Sequence, residues 1–212
     1  MKVIAAEFIT SAAAGGSATG VPRDGLGQVA MAGRSNVGKS TLINALCRRP
    51  LARTSAAAGK TRLANVFRLT LEGGPRAGSG QGGAGRWDMY LVDLPGYGYA
   101  RGGSDSAKEL QAVGEAYMAS GPDMVFLLVD SRHPGLEADI QAYRWLTTLG
   151  IEPVVVATKI DKLTRADRMK NLRELERVFG TAALPVSAER GEGLDELWTR
   201  IARTVRATKD RR

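Results

Sequence analysis

Cysteine occurs once in the 212 residues, at Cys47, which excludes a disulfide framework and fits a chain kept in a reducing compartment. Histidine also occurs once, at His133, so a histidine-rich metal centre is excluded. No apolar run approaches the roughly 20 residues of a membrane span. The start of the chain superficially resembles a secretion signal, with Lys2 ahead of small apolar residues, but Glu7 interrupts it. These absences point to a soluble cytoplasmic protein with no membrane partner. One further scarcity is local. Residues 25–71 contain no Asp or Glu, yet hold Arg34, Lys39, Arg48, Arg49, Arg53, Lys60, Arg62 and Arg68. Those eight positive charges equal the whole net charge of +8. A second basic cluster comprises Arg200, Arg203, Arg206, Lys209, Arg211 and Arg212, offset only by Asp210. Clusters of this kind neutralise a nucleic-acid backbone and release counterions. They also serve simply as solvated surface, and composition favours an RNA partner only modestly.

An apolar content of 43% is enough for a sizeable core in one domain, and no internal repeat is visible. Residues 1–27 read as a lead-in, loosely ordered around 11–20, with a short strand at 3–9. Residues 28–32 read as a buried strand, 33–40 as a loop, and 41–47 as a helix. A mobile basic loop follows at 48–60. Residues 63–71 alternate, placing Leu63, Phe67, Leu69 and Leu71 on one face, and 87–94 form the returning strand. Between them, seven glycines in the fifteen residues 72–86 make a flexible hairpin connection with no assigned role. Further strands are expected at 123–129, 151–157 and 182–186. Helices are expected at 104–119, 135–149, 165–179 and 194–206, the last with Leu194, Leu197, Trp198, Ile201 and Val205 inward. Strands alternating with helices imply an α/β fold: a six-stranded, mostly parallel sheet with one antiparallel edge strand and helices on both faces. The main domain spans 28–207 and a basic tail 208–212.

The loop Gly33-Arg34-Ser35-Asn36-Val37-Gly38-Lys39-Ser40 has the G-x-x-x-x-G-K-S spacing, and it stands between a strand and a helix that opens with Thr41. That context makes it a phosphate-binding loop: backbone N–H groups and a helix N-terminus cradle the anion. Lys39 reaches the β- and γ-phosphates, and the Ser40 hydroxyl ligates Mg²⁺. Asp93-Leu94-Pro95-Gly96 follows at a strand's C-terminal end, where Asp93 holds Mg²⁺ through water and the Gly96 N–H meets the γ-phosphate. Thr158-Lys159-Ile160-Asp161 follows another strand. The Asp161 carboxylate accepts two hydrogen bonds from guanine, adenine lacks both donors, and the Lys159 stem lies over the base. Val186-Ser187-Ala188 offers a backbone N–H to the guanine O6. A helix cap is the plainer role open to Asp161. Thr61 is the candidate for the second Mg²⁺ hydroxyl, with Thr54 and Ser55 as competitors.

The set G-R-S-N-V-G-K-S, G-K-T, D-L-P-G-Y-G-Y-A, D-S-R-H, T-K-I-D-K-L and V-S-A resembles the EngB-type (YihA/YsxC) GTP-binding proteins, within the TrmE-Era-EngA-like GTPases. The resemblance runs from about 28 to 205, interrupted by the glycine-rich insert, which is longer than the family's usual hairpin. It implies a P-loop G domain that binds GTP and GDP, uses Mg²⁺, hydrolyses GTP, and takes part in assembly of the large ribosomal subunit, with rRNA as partner and consequences for cell division. It implies a nucleotide role for Gly59, Lys60 and Thr61 as well. The chain departs from the family at Ala58-Gly59-Lys60-Thr61-Arg62, where Pro-Gly-Arg/Lys-Thr-Gln is usual. Relatives with Asn at the position of Asn36 use it to help bind K⁺; the alternative is a residue tolerating an unusual backbone angle. Ras-like enzymes carry Gln directly after D-x-x-G, and here that position is Tyr97, so another group positions the attacking water or intrinsic hydrolysis is slow. Cys47, Trp145 and Trp198 are expected in the core, and residues 130–133 as a capping turn that could instead contact a partner. The monomer is expected to act as a GTP-driven switch. The runner-up is a nucleotide-gated scaffold with negligible turnover, and a small-molecule kinase is disfavoured by Thr158–Asp161.

Overall fold

The apolar runs and amphipathic stretches alternate along the chain, and they fold into a single sheet clothed by helices. The computed structural model describes residues 1–12, 21–52, 63–73, 85–97, 114–115, 117–119 and 121–209. The strands are β1 (Lys2–Ala12), β2 (Gly27–Gly33), β3 (Ala64–Glu72), β4 (Arg86–Asp93), β5 (Met124–Asp130), β6 (Val154–Thr158) and β7 (Leu184–Pro185). The helices are α1 (Lys39–Cys47), α2 (Glu137–Thr148), α3 (Arg165–Phe179) and α4 (Leu194–Lys209). Sheet order is β1-β3-β4-β2-β5-β6-β7. Strands β4, β2, β5, β6 and β7 are parallel, while β3 runs antiparallel to both of its neighbours.

The α/β class is as expected, but the sheet has seven strands rather than six among the described residues. The difference is β1. The short strand expected at 3–9 extends over Lys2–Ala12 and pairs with β3 along its length. The antiparallel strand β3 is therefore internal, and β1 takes the edge. Two register shifts interrupt β1, between Val3 and Ala5 and between Phe8 and Thr10. Such bulges discourage further strands from adding to an exposed edge.

Every residue of β5 is buried, as befits a strand covered on both faces. In β3, Phe67, Leu69 and Leu71 join the core under α1 and α4, and Ala64 and Val66 the core on the other face. Leu63, expected in the strand, precedes it and is exposed. Helix α4 buries Leu197, Trp198, Ile201 and Val205 as its spacing predicts, with Leu194 partly buried against the same core. The opposite face is covered by α2 and α3 through Leu146, Leu175 and Phe179, together with Tyr117 and Met118. Helix α3 matches its expected bounds because both ends are marked. The Thr164 hydroxyl accepts from the Asp167 N–H, and Gly180 closes the other end at φ 68°. Gly114, Glu115, Tyr117 and Met118 have helical backbone; the rest of the helix expected at 104–119, apart from Ala119, lies outside the described residues.

Candidate guanine-nucleotide site

Strand β2 ends at Gly33 and α1 begins at Lys39, so residues 34–38 must turn the chain in a few steps. Asn36 does so at φ 64° and Gly38 at φ 105°, the latter open in practice only to glycine. Gly38 caps α1 without any side-chain bond, and no acidic residue lies in the helix's first turn. The N–H groups there remain at the positive end of the helix for an anion. Lys39 Nζ lies 3.5 Å from the Gly33 carbonyl and 4.0 Å from Asp93 Oδ1. Burial lowers the Lys39 ammonium pKa, against the opposing pull of Asp93. Burial pushes the Asp93 carboxyl up to about 6, and Lys39 opposes that rise. Asp93 Oδ1 is buried with no hydrogen-bond partner among the described residues. A buried carboxylate oxygen with no hydrogen-bond partner, beside Lys39 at the start of the helix that also carries the Ser40 hydroxyl, is hard oxygen chemistry that fits a hydrated Mg²⁺.

Leu94 and Pro95 are buried beyond the end of β4, and the Leu94 N–H donates to Met31 O at 3.1 Å. Gly96 then presses on the phosphate loop: a Cβ there would stand 2.9 Å from Ser35 N and Oγ, so no side chain is accommodated. The Ser35 N–H donates to the Tyr97 carbonyl at 3.1 Å. The Tyr97 hydroxyl does not face the loop's anion side but donates to Asp139 Oδ1 at 3.0 Å. Arg34 Nε donates to the same oxygen at 2.9 Å. Burial raises the Asp139 carboxyl pKa, with Arg34 and Tyr97 working against it. Asp139 carries no local signal of this role, because its partners lie 105 and 42 residues away.

On the other side of the loop, the buried Thr158 hydroxyl lies 2.7 Å from Val37 O and 3.1 Å from Val129 O. Lys159 takes φ 60°, and its Nζ donates to Asn36 O at 2.6 Å and to Asp130 Oδ2 at 2.9 Å. The loop is thus braced from both sides. Asp161 sits in a 3₁₀ turn, Ile160–Lys162, and accepts from Ser187 Oγ at 2.7 Å. Burial raises its pKa, but the Ser187 and Lys162 contacts outweigh that and leave it lowered. It caps no helix, since the following one is capped by Thr164. Gly38, Thr41, Lys159, Asp161, Val186 and Ala188 line one cleft of about 250 Å³, joining the loop to the two later motifs.

Asp130 was legible only as a turn residue. Its Oδ1 does accept from the Arg132 N–H, but the carboxylate also binds the Arg132 guanidinium at 2.9 and 2.7 Å and pairs with Lys159. Burial raises the Asp130 pKa, and those cations drive it well below the ordinary carboxylate range. Arg132 lines the cleft, a placement the sequence did not signal. His133 is exposed in the same turn. Trp198 is buried and Trp145 partly so, as expected for core aromatics. Gly59, Lys60 and Thr61, with the competitors Thr54 and Ser55, lie outside the described residues.

A family model described as a 50S ribosome-binding GTPase matches residues 28–159. A relative from Pelotomaculum thermopropionicum, named Probable GTP-binding protein EngB, is 42% identical over 97% of this chain and 98% of its own length. Among solved structures, a probable GTP-binding protein EngB aligns with a TM-score of 0.60 at 23% identity, over 85% of this chain and 99% of the other. Aquifex aeolicus Era bound to GDP and AlF₄⁻ aligns with a TM-score of 0.66 at 24% identity, over 85% of this chain and 57% of Era. Identities that low carry the fold alone; the longer match to the curated relative carries more. The chain belongs to the EngB family of P-loop GTPases, enzymes that bind and hydrolyse GTP.

Proposed function

We propose that the chain is a cytoplasmic GTP-driven switch in assembly of the large ribosomal subunit, and thereby supports growth and division. The observation that carries the nucleotide half is the single cleft bounded by the phosphate loop, Asp161 and Ala188. In this reading Gly33, Arg34, Ser35, Asn36, Val37, Gly38, Lys39, Ser40 and Thr41 wrap the phosphates. The main-chain N–H groups take the phosphate oxygens and the Lys39 ammonium balances their charge. Ser40, Thr61 and, through water, Asp93 would hold Mg²⁺, which would supply positive charge at the phosphates. Leu94, Pro95 and Gly96 bring a backbone N–H to the γ-phosphate, with Gly59 and Lys60 completing that side. Thr158 and Lys159 brace the loop, Asp161 reads the guanine edge, and Val186, Ser187 and Ala188 meet its O6.

Tyr97 carries no amide to orient water and turns its hydroxyl to Asp139. Either another group positions the attacking water or intrinsic turnover is slow; K⁺ held near Asn36 would add positive charge at the phosphates. The left-handed backbone of Asn36 already gives that residue a turn role. Equal hydrolysis rates in KCl and NaCl would leave Asn36 with the turn alone.

The ribosomal half rests on the family's description and on the net charge of +8, with Arg48, Arg49, Arg200 and Arg203 exposed. Its test is co-sedimentation of the monomeric protein with large ribosomal subunits and their precursors. Binding favoured by a non-hydrolysable GTP analogue over GDP, and weakened by salt, supports the switch. Nucleotide-independent binding with no stimulated turnover would instead favour a scaffold.

A further inference from the structure

Beside the phosphate loop, among residues that do not line the cleft, three side chains meet at one carboxylate oxygen. Asp139 stands in the first turn of α2 and its side chain is 1% exposed. Its Oδ1 takes both the Arg34 Nε–H, at 2.9 Å, and the Tyr97 hydroxyl, at 3.0 Å. Its Oδ2 is buried with no hydrogen-bond partner among the described residues. A buried carboxylate with half its acceptor capacity unused is costly, and an apolar residue would pack there at less expense. The two donors belong to segments that also touch directly. Arg34 and Tyr97 form a parallel bridge, the Ser35 N–H donates to the Tyr97 carbonyl, and Gly96 abuts Ser35 with no room for a side chain. Asp139 therefore fastens the segment following Asp93 to the base of the loop.

We propose that Asp139 is a positioning residue that, acting through Tyr97 and Arg34, sets the preference of the site for the nucleoside triphosphate over the diphosphate. The inference rests on the reading of residues 33–40 and Gly96 as phosphate-binding. Only a triphosphate meets Gly96, because only it carries the γ-phosphate. Holding residues 96–97 in place beforehand removes an ordering cost that the triphosphate alone would otherwise bear. The diphosphate engages the loop and the base pocket but has no group at Gly96, so it feels the fastening only weakly, through Arg34. The same geometry turns the Tyr97 ring toward α2, so its hydroxyl serves the fastening rather than the attacking water.

The test uses the full chain with Asp139→Leu and Tyr97→Phe. Leucine keeps a similar volume but removes the acceptor oxygen that Arg34 and Tyr97 share; phenylalanine removes only the hydroxyl and spares the fold should Asp139→Leu disturb it. Affinities for GDP and for a non-hydrolysable GTP analogue with Mg²⁺ are measured by displacement of fluorescent GDP. The expected result is a loss of about tenfold for the analogue in each variant, a usual size for coupling between sites, with GDP changed by less than about twofold. The double variant loses no more than the larger single loss, because both act through one contact. Equal losses for GDP and the analogue would mean a merely structural role and overturn the proposal, as would an unchanged ratio in either variant. Failure of the unmodified protein to bind GDP would overturn the phosphate-site reading itself, and the inference with it.

Discussion

Lys39 and Asp93 are both pressed into the floor between the phosphate loop and β4, and burial pushes the pKa of each toward its neutral form. Those penalties fit the proposed site, in which phosphate would meet the ammonium and a cation the carboxylate. Cys47, eight residues along the same helix, shows the opposite case of burial without function. It is 1% exposed, and burial pushes its thiol up to about 12, only partly offset by Arg49. A thiol so placed holds almost no thiolate at pH 8. Ellman's reagent is predicted to leave Cys47 unmodified in the native protein and to titrate one thiol after denaturation; rapid labelling of the folded chain would contradict this. At this scale the sequence was informative where a motif is contiguous. The glycines, Lys39, Asp93 and Asp161 stood out as candidates because their spacing along the chain is itself a geometry. Asp139 did not, and Asp130 only as part of its turn, because the Asp139 contacts and the Asp130–Lys159 pair join residues far apart in the chain.

The elements were legible to the degree that their periodicity was undiluted. Helix α4 shows its five inward residues in the sequence, and α3 advertises its start with Thr164 and its end with Gly180. Strand β1 is Lys-Val-Ile-Ala-Ala-Glu-Phe-Ile-Thr-Ser-Ala, with no clean alternation and two bulges, so its extent and its place at the edge emerge only from pairing with β3. Its side chains gain from that pairing as well: Phe8 meets Phe67 edge-on at 5.9 Å between ring centres. The inward stripe of α4 carries a direct prediction. Ile201 is fully buried, and Ile201→Ala should destabilise the fold by about 2–5 kcal/mol in urea unfolding. The neighbouring exposed Arg200→Ala should change stability by no more than about 0.5 kcal/mol. Equal effects would mean that α4 does not pack as described.

For the molecule as a whole, the positive charge has a measurable consequence that separates rRNA contact from mere solubility. If Arg200 and Arg203 each meet a phosphate, neutralising both lowers the slope of log affinity against log salt by about 1.5–2 for ribosomal particles. GTP hydrolysis by the free protein should be unchanged, because neither residue lines the cleft. An unchanged slope would move the RNA contact to the other basic surface, around Arg48 and Arg49. The proposed function depends on one arrangement, a guanine-specific site that Asp161 would read and the phosphate loop would complete. The most direct measurement is nucleotide affinity of the unmodified chain and of Asp161→Asn for GDP, XDP and ADP. The unmodified chain is predicted to prefer GDP, and the variant XDP, because an amide donor in place of a carboxylate oxygen suits the xanthine 2-oxo group. Equal affinities for the three bases, or a preference for GDP that survives Asp161→Asn, would contradict the account.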